Sequence, residues 1–170
     1  MDAARALVST LKAERAHPEA GFEEARPRAL PLRSNPHMRM LEANLAWVAA
    51  GVSEPFAAVA RDIVALAARR LIDPETGAIG EYYDGDWRFA SGPDGGVREP
   101  GHQFVWAYLL DWASPLLGVD RRVESHLYDF GSRFGIDPQR GRPCSPSMRP
   151  APSRTPAPAC GPRPNGCAPL

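Results

Sequence analysis

Through most of residues 1–140, apolar side chains return every three or four positions, the spacing that gathers them on one face of a helix. Ala3 to Ala16 reads as a first helix, with Ala3, Ala6, Leu7 and Leu11 turned inward. Residues 18–36 hold four prolines and one glycine and read as an extended connection. Asn35-Pro36 then predicts a helix start, Asn35 as the cap and Pro36 at the first helical position. That helix continues through Leu41, Leu45 and Val48 and should stop at Gly51, where a left-handed residue is wanted. Ser53 caps the next helix and Glu54-Pro55 opens it. Phe56, Val59, Ile63, Leu66 and Leu71 form its apolar stripe, with Arg61, Asp62 and Arg69 off it. Asp73 to Gly77 reads as a turn.

From Ile79 to Phe89 the period shortens, and aromatics flank Asp84-Gly85, which predicts a short β-hairpin. Ser91 to Gly96 is a loop. Another proline-opened helix runs from Glu99-Pro100 to about Ser114, where Pro115 should end it. A last helix is expected over Asp120–Phe134, with Val123, Leu127, Phe130 and Phe134 on its inner face. His37 and Trp47 lie ten positions apart, as do His102 and Trp112, and both histidines follow a proline in the first turn of an apolar helix. This echo predicts a repeated helix–loop–helix unit, as in an α-solenoid or an α/α toroid. Two such units cannot close a ring. The expected fold is therefore all-α, a partial (α/α) barrel of antiparallel helix pairs with one short hairpin.

Composition divides the chain into 1–140 and 141–170. The second segment holds nine prolines, four arginines and no acid, and it lacks Ile, Val, Phe, Trp and Tyr. Such a segment cannot bury enough apolar surface to offset ordering and is expected to be a disordered tail. A linker, a proline-rich ligand for an SH3-like partner, and translation out of frame from near Gly141 are its three readings. The last fits a body with a single lysine and much alanine, the signature of a GC-rich gene, since the wrong frame of such a gene yields the tail's vocabulary. The charges total zero, but sixteen basic against twenty acidic residues leave 1–140 at −4. That balance argues against a nucleic-acid surface. No run is apolar enough for a membrane span, and Met1 to Ala20 lacks the apolar core of a signal peptide. Cys144, Cys160 and Cys167 all lie in the tail at spacings unlike a metal site. A cytoplasmic protein without cofactor or metal, acting on neither membrane nor nucleic acid, is expected.

Chemistry concentrates in Asn35-Pro36-His37-Met38-Arg39 and Glu99-Pro100-Gly101-His102-Gln103. A histidine in the first helical turn feels the positive end of the dipole, which favours the neutral ring and suits a general base. Gln103 offers a polar contact and Trp106 an aromatic face of the kind sugars stack on. His17 and His126 have no such context and read as surface residues.

NPHMRMLEANLAW, then DPETGAIGEYYDGDW, then EPGHQFVWAYLL resemble the N-acylglucosamine 2-epimerase family, which includes sugar 2-epimerases and mannose and mannose-6-phosphate isomerases. The resemblance covers roughly residues 1–140 and implies the middle third of an (α/α)6 barrel. It also implies metal-free proton transfer beside a sugar carbonyl by two histidines acting as acid and base. His102 falls on one of these. The other belongs to a region the resemblance does not cover, so the chain alone is expected to lack turnover. Asn35 falls on a substrate-contacting position, and His37, Arg39 and Gln103 are expected to join it around a sugar or sugar phosphate. Arg39 stands where the family usually has a histidine. Val105 stands where it usually has a glutamate, and a valine can neither accept a hydrogen bond from a sugar nor orient His102. Part of a ring should also expose apolar helix faces and self-associate through them. The alternative reading is a non-catalytic helical-repeat interaction module; a toroid glycosidase would need paired carboxylates, and the spacing of Glu42, Glu81 and Glu99 pairs none of them.

Overall fold

The structure, a computed structural model, describes residues 1–119 and 124–137, with 142–143 as backbone only. The expected tail otherwise lies outside the described residues, as do its three cysteines and the expected helix start at Asp120–Val123. Five α-helices stand among the described residues: α1 (Asp2–Arg15), α2 (Asn35–Ala49), α3 (Phe56–Leu66), α4 (Pro100–Leu117) and α5 (Glu124–Gly135), with a 3-10 turn at Gly92–Gly96. A π turn, Ala67–Leu71, prolongs α3. Four two-residue strands accompany them. β1 (Leu32–Arg33) pairs antiparallel with β2 (Tyr82–Tyr83), with Leu32 opposite Tyr83, and β3 (Ile136–Asp137) pairs with β4 (Arg142–Pro143).

Local signals explain most boundaries. Gly51 takes φ +84°, and its N–H donates to Val48 O at 2.9 Å, ending α2 where expected. The chain turns through six residues and returns as α3 against α2, an antiparallel pair. The pair α4–α5 repeats the arrangement, and α2 packs beside α4. The apolar stripe of α3 is buried throughout, with Phe56, Val59, Ile63 and Leu66 against Met38, Leu41 and Leu45 of α2 in one core cluster. Burying each of the larger chains contributes about 1.5–3 kcal/mol. Trp106, Leu109 and Ala113 carry the same core into α4.

Some expectations are corrected. The inner face of α1 is Ala4, Val8 and Leu11, whereas Ala3 and Ala6 are exposed and Leu7 is 59% exposed. The stretch is alanine-rich, so adjacent faces carry nearly the same hydrophobicity, and packing against Phe22 and α2 chooses between them. Ser34, not Asn35, occupies the cap position of α2, without a side-chain capping bond. Pro115 does not end α4. It sits in the last turn, and the helix stops three residues later at Gly118, φ +67°, whose N–H donates to Ser114 O at 2.9 Å.

The hairpin forms where Asp84-Gly85 predicted it. Asp84 Oδ1 accepts the N–H groups of Asp86 and Arg88, both at 2.9 Å, and closes the turn. Trp87 has a positive φ of 58° there, held by a buried ring whose Nε1–H donates to Ala20 O at 2.8 Å. Sequence pattern did not foresee that β2 pairs across to β1, which ties the hairpin to the entry of α2.

Candidate active site

The β1–β2 pairing sets the site. One residue beyond the ladder, Ser34 N–H donates to Glu81 O at 3.3 Å, so the start of α2 and the residue before β2 lie side by side. The first turn of α4 joins them through Gln103. Its Oε1 accepts Ile79 N–H at 2.8 Å, and its Nε2–H donates to Ile79 O at 2.9 Å and Glu99 O at 3.3 Å. An amide that closes both backbone groups of one residue locks α4 to the hairpin. Gln103 is wholly buried, so it is a clamp and not the substrate contact expected of it. Trp106 is corrected likewise: its ring is buried in the core and offers no face to a sugar.

Two residues beyond Ile79, just before β2, Glu81 reaches His102. The Nδ1–H of His102 donates to Glu81 Oε2 at 3.0 Å. His102 keeps 26% of its side chain exposed, and Nε2 has no hydrogen-bond partner among the described residues. The Glu81 hydrogen bond raises the His102 pKa above the ordinary histidine value. Desolvation opposes it, the charges of Glu81 and Glu99 add to it, and Arg39 opposes it. The helix-start expectation of a ring pushed toward neutrality is therefore reversed at His102, because a carboxylate in contact outweighs a dipole worth about 0.3–1 kcal/mol.

Arg39, one turn into α2, lies near enough to act on the His102 charge. Its guanidinium is exposed and pairs with Glu42 at 3.2 Å. Asn35 is exposed at the start of α2, next to the Ser34–Glu81 bond. Val105 is half-buried and packs against the core. The structure thus links Arg39 and Glu81 to His102, Glu81 not having been expected, and leaves Asn35 exposed one residue from the Ser34–Glu81 bond. Glu81 lies 21 residues from His102, and no helical or strand spacing relates the two.

His37 does not join them. It is 1% exposed, its Nδ1–H donates to Arg33 O at 3.1 Å, and its Nε2 accepts Phe22 N–H at 2.9 Å. Burial lowers its pKa to about 4. With both ring nitrogens used inside the fold, it has nothing left for a substrate. His17, read from sequence as a surface residue, is also buried. Its Nε2–H donates to Gly85 O at 2.9 Å, and Nδ1 accepts Glu19 N–H at 3.1 Å. His126 is exposed, as expected. No group of three or more His, Cys, Asp or Glu among the described residues is placed to hold a metal ion. No helix among them is long and apolar enough to cross a membrane. A cleft of about 540 Å³ lies elsewhere, against Lys12, His17, Asp62, Arg69 and Trp87, away from the residues with free chemistry.

A carboxylate behind an imidazole whose second nitrogen is open can give and take a proton. The family model described as N-acylglucosamine 2-epimerase (GlcNAc 2-epimerase) matches residues 1–142. A protein of Rhizobium meliloti (strain 1021) named mannose-6-phosphate isomerase is 42% identical over 138 residues, 79% of this chain and 36% of that protein. The solved structure of cellobiose 2-epimerase from Bacillus thermoamylovorans B4167 superposes with a TM-score of 0.62 at 16% identity, covering 79% of this chain and 39% of its own. That likeness concerns the fold, and the helix pairs described above are part of an (α/α)6 barrel. The chain spans little more than a third of the length of these relatives.

Proposed function

The chain belongs to the N-acylglucosamine 2-epimerase family, and we propose that it is the part of a sugar 2-epimerase or aldose–ketose isomerase that carries one proton-transfer group, His102. One observation carries the reading: the Glu81-backed imidazole at the start of α4, with Nε2 open and the charge of Arg39 near enough to act on it. In isomerisation, a base removes the proton from the carbon next to the sugar carbonyl. The electron pair moves onto the carbonyl to give an enediolate, and a proton returns to the neighbouring carbon. In 2-epimerisation it returns to the same carbon from the opposite face. His102 Nε2 takes or gives that proton. Asn35 and Arg39 contact the sugar, with Arg39 supplying a positive charge that suits an enediolate oxygen or a phosphate. Mannose and mannose 6-phosphate are the substrates to try first, the second because of the name of the Rhizobium relative.

Both reactions need a second group: isomerisation an acid at the sugar oxygens, and epimerisation a proton donor on the opposite face. The sequence has four histidines; His17 and His37 are committed to the fold and His126 is exposed on α5 away from this cluster's bonds. The 170-residue chain alone therefore binds sugar without turning it over. Losing one positioned acid or base costs about 10²–10⁴-fold, before any loss of substrate positioning. The test follows the His102 ring protons by NMR while mannose or mannose 6-phosphate is added, with conversion to the ketose or to the C2 epimer measured alongside. We expect His102 to shift, His37 to stay still, and no isomerised or epimerised sugar to form. A His102 signal unmoved by every sugar at saturating concentration overturns the site. Formation of fructose, glucose or their 6-phosphates by the isolated chain overturns the need for a second histidine.

A further inference from the structure

We infer that Glu81 is the positioning residue of this site, holding His102 in the tautomer that carries its proton on Nδ1 and presents a bare Nε2. The inference rests on the reading of His102 as the proton-transfer group, but its geometry stands apart from any substrate. Glu81 Oε2 sits 3.0 Å from His102 Nδ1, and a carboxylate can only accept, so the proton lies on Nδ1. The backbone that carries the carboxylate is pinned on both sides. Glu81 N–H donates to Val97 O at 3.2 Å, and Glu81 O accepts Ser34 N–H at 3.3 Å. Gln103, the residue after His102, holds Ile79 by both backbone groups, so helix and strand keep one register and the two side chains meet without searching.

A purely structural carboxylate would be expected to use both its oxygens. Glu81 is 8% exposed, yet Oε1 has no partner among the described residues. Among the described residues the carboxylate's hydrogen-bonded neighbour is the imidazole, on which its charge is focused. The other charged groups acting on the ring are Glu99 from the start of α4, which pulls in the same direction, and Arg39 from α2, which opposes it. An imidazole free in water favours the proton on Nε2, the tautomer that would block a general base here. Glu81 reverses that preference.

The experiment uses the ¹⁵N-labelled full chain and long-range proton–nitrogen spectra, which report the tautomer and the titration midpoint of each histidine. We expect wild-type His102 to be Nδ1-protonated above its midpoint. Glu81→Gln keeps an acceptor oxygen without the charge, so the Nδ1–H tautomer should persist while the midpoint shifts down. Glu81→Ala should release the ring to the Nε2–H tautomer and also lower the midpoint. An unchanged midpoint in Glu81→Gln, with the backbone amide spectrum intact, overturns the inference even if the alanine variant does not fold. So does an Nε2–H tautomer in the wild type. These readouts concern the ring and not turnover. If the tautomer result holds while sugars leave His102 unmoved, positioning stands and the substrate class falls.

Discussion

Lowering the pH should unload a fixed amount of stability through His37, and the structure sets its size. The ring is 1% exposed, and its Nε2 already accepts Phe22 N–H, so a proton there would set two donors face to face inside the core. Burial is the main cause of a folded pKa lowered from 6.5 to about 4. The unfolded ring gains a proton as pH falls through 6.5, while the folded ring stays neutral until about 4. Stability from neutral His37 is therefore complete above pH 6.5 and is lost as pH falls to 4. At roughly 1.4 kcal/mol per unit, the loss is about 3 kcal/mol, a large share of the roughly 5–15 kcal/mol that keeps a typical domain folded. Urea unfolding of wild type and His37→Gln at several pH values between 7 and 4 isolates it, because Gln can still accept from Phe22 N–H but does not titrate. The variant starts less stable, having lost the bond to Arg33 O and the edge contact with Trp87 at 4.9 Å. Its deficit should then shrink by about 3 kcal/mol as pH falls. Glu23, Asp73 and Asp84, whose pKa values are also lowered, titrate in both proteins and cancel in the difference. A deficit that stays constant from neutral pH to 4 would refute the reasoning.

Two further substitutions test how the hairpin and the connection are held. Gly21 has φ +73°, and a Cβ there would lie 2.6 Å from His37 Nε2 and 2.7 Å from Leu66 Cδ2. Gly21→Ala should therefore cost more than about 1–3 kcal/mol by chemical denaturation, strain adding to overpacking; a change within about 0.5 kcal/mol would show that the connection simply shifts. Gln103→Ala strands both backbone groups of Ile79, at about 1–3 kcal/mol for each buried group left unpaired. Faster hydrogen exchange at the Ile79 amide should accompany that loss, and unchanged protection would mean that another group closes the gap.

The parts legible from sequence were those governed by neighbours along the chain. Gly51, the stripe from Phe56 to Leu66 and the Asp84-Gly85 turn each act within a few residues, so their elements stand where the pattern placed them. The face of α1 was not legible, because an alanine-rich helix offers several faces of similar hydrophobicity and only the partner selects one. Pro115 read as a stop, yet the last turn of a helix tolerates it when Gly118 supplies the cap.

The candidate site shows the same division most sharply in its histidines. By sequence alone, His37 and His102 are equivalent: each follows a proline in the first turn of an apolar helix, at the same dipole end, ten residues before a tryptophan. That position determined that both would stand at the entry of a helix pair. Tertiary structure decided everything that matters to their chemistry. The connection before α2 folds over His37, delivering Phe22 N–H from 15 residues upstream and excluding water, so its pKa falls to about 4. The hairpin before α4 instead delivers Glu81 to His102 and leaves the ring part-open, so its pKa rises. Desolvation and direct charge contact depend on what packs against a side chain, and those partners come from segments that no local spacing relates to it.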